Sequence, residues 1–174
     1  MKFTVFILCM VFLIIGCNRD DEYEQDIINS SYHAIVMDIS DLRNSVRFEA
    51  GRILRNPGEV CLFGDFIFIN EKYKGIHIFN NSDPYNPVHE GFVHIPGCTD
   101  MAIKDNLLFS DNSIDLVILD ISDMQDIKLL NRIECVFPEP MPPDGTDIPY
   151  VYNLANRPAN TVIVEWIKNQ TDKI

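Results

Sequence analysis

Residues Asp115–Ile133 read "DLVILDISDMQDIKLLNRI". An aliphatic run closed by aspartates, a polar turn and a second apolar run make a strand, a turn and another strand. Forty residues earlier, Gly75–Val93 reads "GIHIFNNSDPYNPVHEGFV". At an offset of 40, Ile76 aligns with Leu116, Ile78 with Ile118, Ser82 with Ser122, Asp83 with Asp123 and Val93 with Ile133. Upstream, "GDFIFIN" (Gly64–Asn70) aligns with "DNLLFSD" (Asp105–Asp111) at an offset of 41. A period of about 40 residues is the length of one supersecondary unit in a repeat array. The chain builds one unit twice.

Each unit divides into four short runs. In the first they are "EVCLF", "DFIFIN", "GIHIF" and "VHEGFVHI"; in the second, "DMAIK", "NLLFSD", "DLVILDI" and "IKLLNRIE". All are rich in Val, Ile, Leu and Phe and bounded by Gly, Asn, Asp and Pro, as strands are. The third run of the second unit is apolar throughout, which suits a strand covered on both faces. In "NSDPYNP", Asn, Ser and Asp side chains bond their own backbone, and Pro84 and Pro87 exclude a helix. The expected fold is all-β, with two consecutive four-stranded antiparallel meanders whose innermost strands are "EVCLF" and "DMAIK".

"DLVILDIS", with its turn and outer strand, resembles the LVIVD repeat of bacterial β-propellers. The longer run through "NPGEV", "FINEKYKGIHIFNNSDPYNP", "IPGCTDMA", "VFPEP" and "NRPANTVIVEW" is similar to Bacteroidota lipoproteins of that family, from about Asn56 to Trp166. The resemblance implies a partial β-propeller with blade 1 over residues 58–96 and blade 2 over 97–137. It implies fold and location rather than a reaction. A lead-in over 32–57 carries a strand, "AIVMDI", and a short helix over "DLRNSV". Residues 138–174 hold a proline-rich loop, long for a compact domain, and "NTVIVEWI", one strand of a partial next blade. Propellers need about four blades. The chain is therefore expected to be part of a longer propeller or to close its ring by association.

The N-terminus reads as a targeting segment. Lys2 precedes the apolar run "FTVFILCMVFLII" (Phe3–Ile15), which is too short to span a bilayer. "IIGC" (Ile14–Cys17) resembles the lipobox of bacterial lipoproteins. That resemblance implies a signal peptide over 1–16, lipid on Cys17 and membrane association through it. A secretory signal with an incidental cysteine is the alternative. "NRDDEYEQD" then starts an acidic tether over 17–31, and it resembles the export signal of Bacteroidota surface lipoproteins. The expected address is the bacterial outer membrane, lipid-anchored, facing either the surface or the periplasm.

Composition excludes some partners. The chain has 174 residues, 47% hydrophobic, with a formal charge of −12 and no Lys/Arg cluster. Phosphates would be repelled, so nucleic acid is not a partner. With Cys9 in the leader and Cys17 lipidated, Cys61, Cys98 and Cys135 remain, an odd count that leaves at least one thiol free or paired between chains. His94 and Cys98 make at most half a metal site.

Candidate ligand-binding residues are Asp100, Glu71, Asp111, Asp115, Tyr73 and Trp166. The carboxylates sit in turns, where hard oxygens serve calcium in other proteins. No D-x-D-x-D-G loop is present, so no metal is assigned. Asp100 heads an innermost strand, near the channel where propellers bind ligands. Tyr73 and Trp166, with Tyr85, Tyr150 and Tyr152, offer a stacking platform for sugars or, alternatively, core filler. There is no G-x-S-x-G elbow, and His77, His89 and His94 sit in or beside strands. No phosphate loop occurs, so neither a catalytic residue nor a cofactor is assigned. The expected function is a binding or scaffold module for a glycan or a protein. An exported hydrolase or lyase with carboxylates at the channel mouth is one alternative, and an inactive fragment of a longer propeller is another. Open blade faces are expected to drive self-association, with the patch at "AIVMDI" or "NTVIVEWI".

Overall fold

Asn80 and Asp83 cap their own turn, and so do Asp120 and Asp123 forty residues on. Asn80 Oδ1 accepts from Ser82 N (3.0 Å) and Asp83 Oδ1 from Tyr85 N (3.1 Å). Asp120 Oδ1 accepts from Ser122 N and Asp123 Oδ1 from Gln125 N, both at 2.9 Å. These side-chain turns stand in for backbone turns, and their spacing is the repeat seen in the sequence. A computed structural model describes residues 30–170. The leader, Cys17 and most of the acidic tether lie outside the described residues.

The first unit is a meander of β3 (Pro57–Phe63), β4 (Phe66–Glu71), β5 (Gly75–Asn80) and β6 (Val88–His94). The second is β7 (Met101–Lys104), β8 (Leu107–Asn112), β9 (Asp115–Asp120) and β10 (Lys128–Ile133). All neighbours pair antiparallel. The first hairpin of each unit turns on a left-handed residue, Gly64 (φ 56°) or Asp105 (φ 54°). The chain is all-β with antiparallel sheets, as expected.

The two meanders pack face to face. Phe68, Ile76 and Ile78 of the first meet Leu108, Val117 and Leu119 of the second in one buried core. β5 is buried on both faces at Ile76, His77 and Ile78. β9 alternates instead, with Val117 and Leu119 buried and Leu116 and Ile118 half-buried. The doubly covered strand is therefore in the first unit, not the second. Its outer face is covered directly, whereas Leu116 and Ile118 on the outer face of β9 stay half-buried.

That cover comes from the N-terminal lead-in. β1 (Tyr32–Asp38) runs into α1 (Ile39–Arg43), whose first turn is capped by Asp38 Oδ1 accepting from Ser40 N at 2.7 Å. The cap sets the helix start, two residues before the "DLRNSV" of the sequence expectation. β2 (Arg47–Glu49) then adds a fifth strand outside β6. Gly91 is required there, because a Cβ would stand 2.4 Å from the Phe48 ring.

The chain ends correct one expectation. "AIVMDI" and "NTVIVEWI" do not finish as open edges of the blades. β1 pairs antiparallel with β11 (Thr161–Lys168), from Tyr32↔Lys168 to Asp38↔Thr161. Ala34, Ile163 and Trp166 pack with Tyr73 of the β4–β5 turn, while Leu42, Val162 and Val164 pack with Ile114 of the β8–β9 turn. The terminal pair thus rests on the same end of both meanders. Most of its apolar side chains are covered within the chain, leaving Ile35 and Ile167 exposed. Among the described residues no helix is long and apolar enough to cross a membrane.

Candidate functional site

A cleft of about 580 Å3 separates the outer face of the second meander from the segment Phe137–Met141. Ala102, Phe109 and Leu116 form one wall, and Phe137, Pro140 and Met141 face them. Alternation along β7, β8 and β9 puts these wall residues on the face turned away from the first meander. The proline-rich loop, which the sequence marks only as long, is the other wall.

Part-buried polar bonds hold that loop in place. Glu139 accepts from Arg157 Nη1 at 2.8 Å and from Ile163 N at 3.2 Å. Arg157 also donates to Thr161 O (3.0 Å), so the guanidinium ties loop to β11. Trp166 Nε1 donates to Pro140 O at 2.8 Å. Trp166 is only 4% exposed and meets Tyr152 edge-to-face, with ring centroids 5.8 Å apart. Its indole anchors the loop instead of standing free as a sugar platform. Tyr85, by contrast, is 99% exposed in the β5–β6 turn.

Of the sequence candidates, the cleft gathers Tyr73, Asp100 and Asp111. Tyr73 takes a left-handed conformation (φ 65°), held by its N–H to Cys98 O and by Gly97 N–H to its own carbonyl. Its aligned partner Ser113 is also left-handed (φ 58°) and donates Oγ to Ile163 O at 2.6 Å. Asp111 is occupied by the β6–β7 connection, accepting from Thr99 N, Asp100 N and Thr99 Oγ1. Burial nevertheless pushes its carboxyl up. Asp100 accepts from Met101 N (2.8 Å), and its carboxyl beside Glu59 lifts the Glu59 carboxyl above its ordinary range.

Glu59 escaped the sequence reading because strand alternation marks it as a solvent-facing residue of "EVCLF". The meeting of β3 with β7 at the start of the second unit puts it beside Asp100. Chemically, the cleft offers apolar walls with the Asp100 and Asp111 carboxyls and the Thr99 hydroxyl among its polar lining. That set suits a ligand with an apolar body and hydrogen-bond donors at one end.

Asp115 and Glu71 lie elsewhere. Asp115 is fully buried and accepts from Arg43 Nε (3.1 Å), Arg132 Nη1 (3.0 Å) and Cys135 N (2.9 Å). Burial pushes its carboxyl up, and those three donors outweigh it, holding it below the ordinary value. Glu71 is on the outer face of the first meander, bonded to His77 Nε2 (3.0 Å) and Arg52 Nη2 (2.7 Å). Cys98 is buried between Asn70 Nδ2 and Ser110 Oγ, and burial raises its thiol far above the usual range. A thiol so raised carries little thiolate, the form that binds metal or reacts. Among the described residues no group of three or more His, Cys, Asp and Glu side chains is arranged to hold a metal ion. Comparison with protein-family models, with curated proteins and with solved structures finds no match for the chain.

Proposed function

We propose that the chain is a binding or scaffold module of the bacterial cell envelope, with its ligand seated in the cleft beneath the proline-rich loop. The observation that supports this most is the cleft itself, whose proline-rich wall is pinned against the sheet wall by polar bonds from Arg157 and Trp166. A preformed apolar cleft with a few polar groups at one side is the usual form of a ligand site. Its chemistry favours a glycan or a peptide stretch with an aromatic or aliphatic body. In this reading β3–β6 and β7–β10 are two blades of an LVIVD-type propeller. The aligned side-chain turns and the face-to-face packing of the meanders favour it.

Ala102→Trp tests the site. Ala102 is an exposed residue of the cleft wall, so an indole there fills the cleft at little cost to folding. On glycan and peptide arrays, the unsubstituted chain should retain ligands that Ala102→Trp binds at least about tenfold more weakly. Equal retention by both proteins would remove the cleft from the reading.

The lipid anchor rests on "IIGC" and is tested separately. Cys17→Ser should abolish incorporation of labelled fatty acid and release the protein from the membrane fraction. Labelling that survives the substitution would discard Cys17 as the attachment site.

A second reading has one observation behind it. The Glu59 carboxyl is held above its ordinary range by Asp100, and a raised carboxyl is what serves as general acid in glycan cleavage. Arrayed glycans that are cut instead of held would favour a hydrolase or lyase.

A further inference from the structure

Segment Ala50–Asn56 joins β2 to β3 without regular structure and lies on the outer face of the first meander. Arg52 stands 3.9 Å over the centre of the Phe92 ring and donates to Glu71 Oε2. The Arg55 N–H reaches the other oxygen, Oε1, at 3.2 Å. Gly51 presses on His89 so closely that a Cβ would stand 2.8 Å from its Nδ1. These four contacts, two of them to one carboxylate, hold residues 51–55 down, and Lys72 N–H donates to Asn56 O (3.0 Å) where the segment meets β3.

Glu71, His77 and His89 form a chain beneath it. His77 Nε2 lies 3.0 Å from Glu71 Oε2, and His77 Nδ1 lies 3.2 Å from His89 Nε2. His89 Nε2 is also 3.1 Å from Gly91 O. A carbonyl only accepts, so His89 Nε2 carries the proton. His77 Nδ1 then bears a lone pair, and His77 is neutral with its proton on Nε2, donated to Glu71. Adding a proton at His77 Nδ1 sets two N–H groups against each other across 3.2 Å. His89 must turn away, and Gly51 lies on its ring.

We propose that Ala50–Asn56 is an acid-released cover: protonation of His77 drives His89 out from beneath Gly51 and lifts the segment off an apolar sheet face. The face so opened carries Phe92 and Phe79, both with His77 on one side of the sheet, and continues to the exposed Val60 and Leu62. Charged groups facing His77 are Glu71 from β4, Arg52 from the cover and His89 from β6. Beyond Phe92 stands His94, with Arg47, Glu49 and Lys74 around it.

Electrostatics act in the same direction. Burial lowers the His77 imidazole below its ordinary 6.5, outweighing the support of Glu71. A group whose pKa is depressed in the closed form takes up its proton on opening. Closure is therefore complete above pH 6.5 and weakens as pH falls below it. Glu71 is itself held below its ordinary range, burial being outweighed by His77 and Arg52. Its contribution is lost at still lower pH, with the same sign.

Hydrogen exchange on the full chain in mild detergent, from about pH 7.5 to about pH 5, tests the cover. After correction for intrinsic chemistry, exchange over residues 51–56 should accelerate by up to about tenfold per pH unit below 6.5, as uptake of one proton requires. The Arg55 amide is the reporter, and the β8–β9 ladder should stay protected. His77→Gln should give a flat profile. A cover whose protection ignores pH, or fails in step with β8–β9, or keeps its slope in His77→Gln, overturns the proposal. Should His77→Gln not fold, NMR titration of the unsubstituted chain decides. Coincident midpoints for His77 protonation and loss of Arg55 protection support the cover; separate midpoints reject it.

Discussion

Asp115→Ala is expected to cost about 3–5 kcal/mol of unfolding free energy, the effect of breaking a buried ion pair and leaving its cation behind. Asp115 is fully buried, and it is the common partner of Arg43, Arg132 and the Cys135 N–H. Arg132 has a side chain only 10% exposed and would keep Asn112 Oδ1 as its remaining side-chain acceptor. Arg43 belongs to α1, so the same carboxylate ties the lead-in to the second meander. In a domain of ordinary stability that loss is a large fraction of the total. Its pH dependence follows from the lowered carboxyl: the stabilisation is complete above pH 3.8, the ordinary value, and fades as acid titrates the folded form. Denaturant unfolding checks both. A cost below about 1 kcal/mol would mean that solvent reaches the cluster and screens it.

Gly75→Ala should be comparably severe. Gly75 aligns with Asp115 in the repeat, yet its backbone has φ 141°, a conformation that favours glycine. A Cβ would stand 2.0 Å from Val93 O and 2.9 Å from Ile95 N. Backbone strain of about 1–3 kcal/mol joins overpacking of a similar size, so roughly 4 kcal/mol is expected. Gly64→Ala supplies the contrast. Gly64 is also left-handed (φ 56°), but nothing lies within 4 Å of the added carbon. Only the conformational cost of about 1 kcal/mol remains. Similar losses at the two glycines would contradict the close approach of Val93 to the β4–β5 turn.

Repetition made the two meanders legible. Ser82/Ser122 and Asp83/Asp123 occupy one place in each unit because each turn needs the same side-chain caps. Strand boundaries followed, since alternation and turn residues are local signals. The pairing of β1 with β11 was not local. The two strands stand more than a hundred residues apart, no turn motif joins them, and a bulge at Ile35/Val36 breaks the register. β2 is three residues long, too short to show a period.

The candidate site was legible in part. Asp100, Asp111 and Tyr73 were within reach because all three lie in or next to the loops at one end of the strands. The far wall was not, because Glu139 and Pro140 take their places from Arg157 and Trp166 and not from any local pattern. The histidine chain did have a signal. Glu71, His77 and His89 fall on one face once β4, β5 and β6 are aligned in register. That parity was there to be read, whereas the crossing of Arg52 over Phe92 was not.

The paired ends join the meanders to the cleft, since β11 carries the anchor of the loop and pairs with β1. Trp166 is the chain's one tryptophan and sits in that strand against Tyr152 and the proline-rich loop. Its fluorescence therefore reports the terminal pair, while far-ultraviolet circular dichroism reports all the strands. One denaturant titration followed by both signals decides between two structures. If the ends are built into the meanders, the transitions coincide in a single cooperative step. A Trp166 transition at clearly lower denaturant, with the β signal intact, would mean that the ends and the loop are an appendage and the cleft has no fixed second wall.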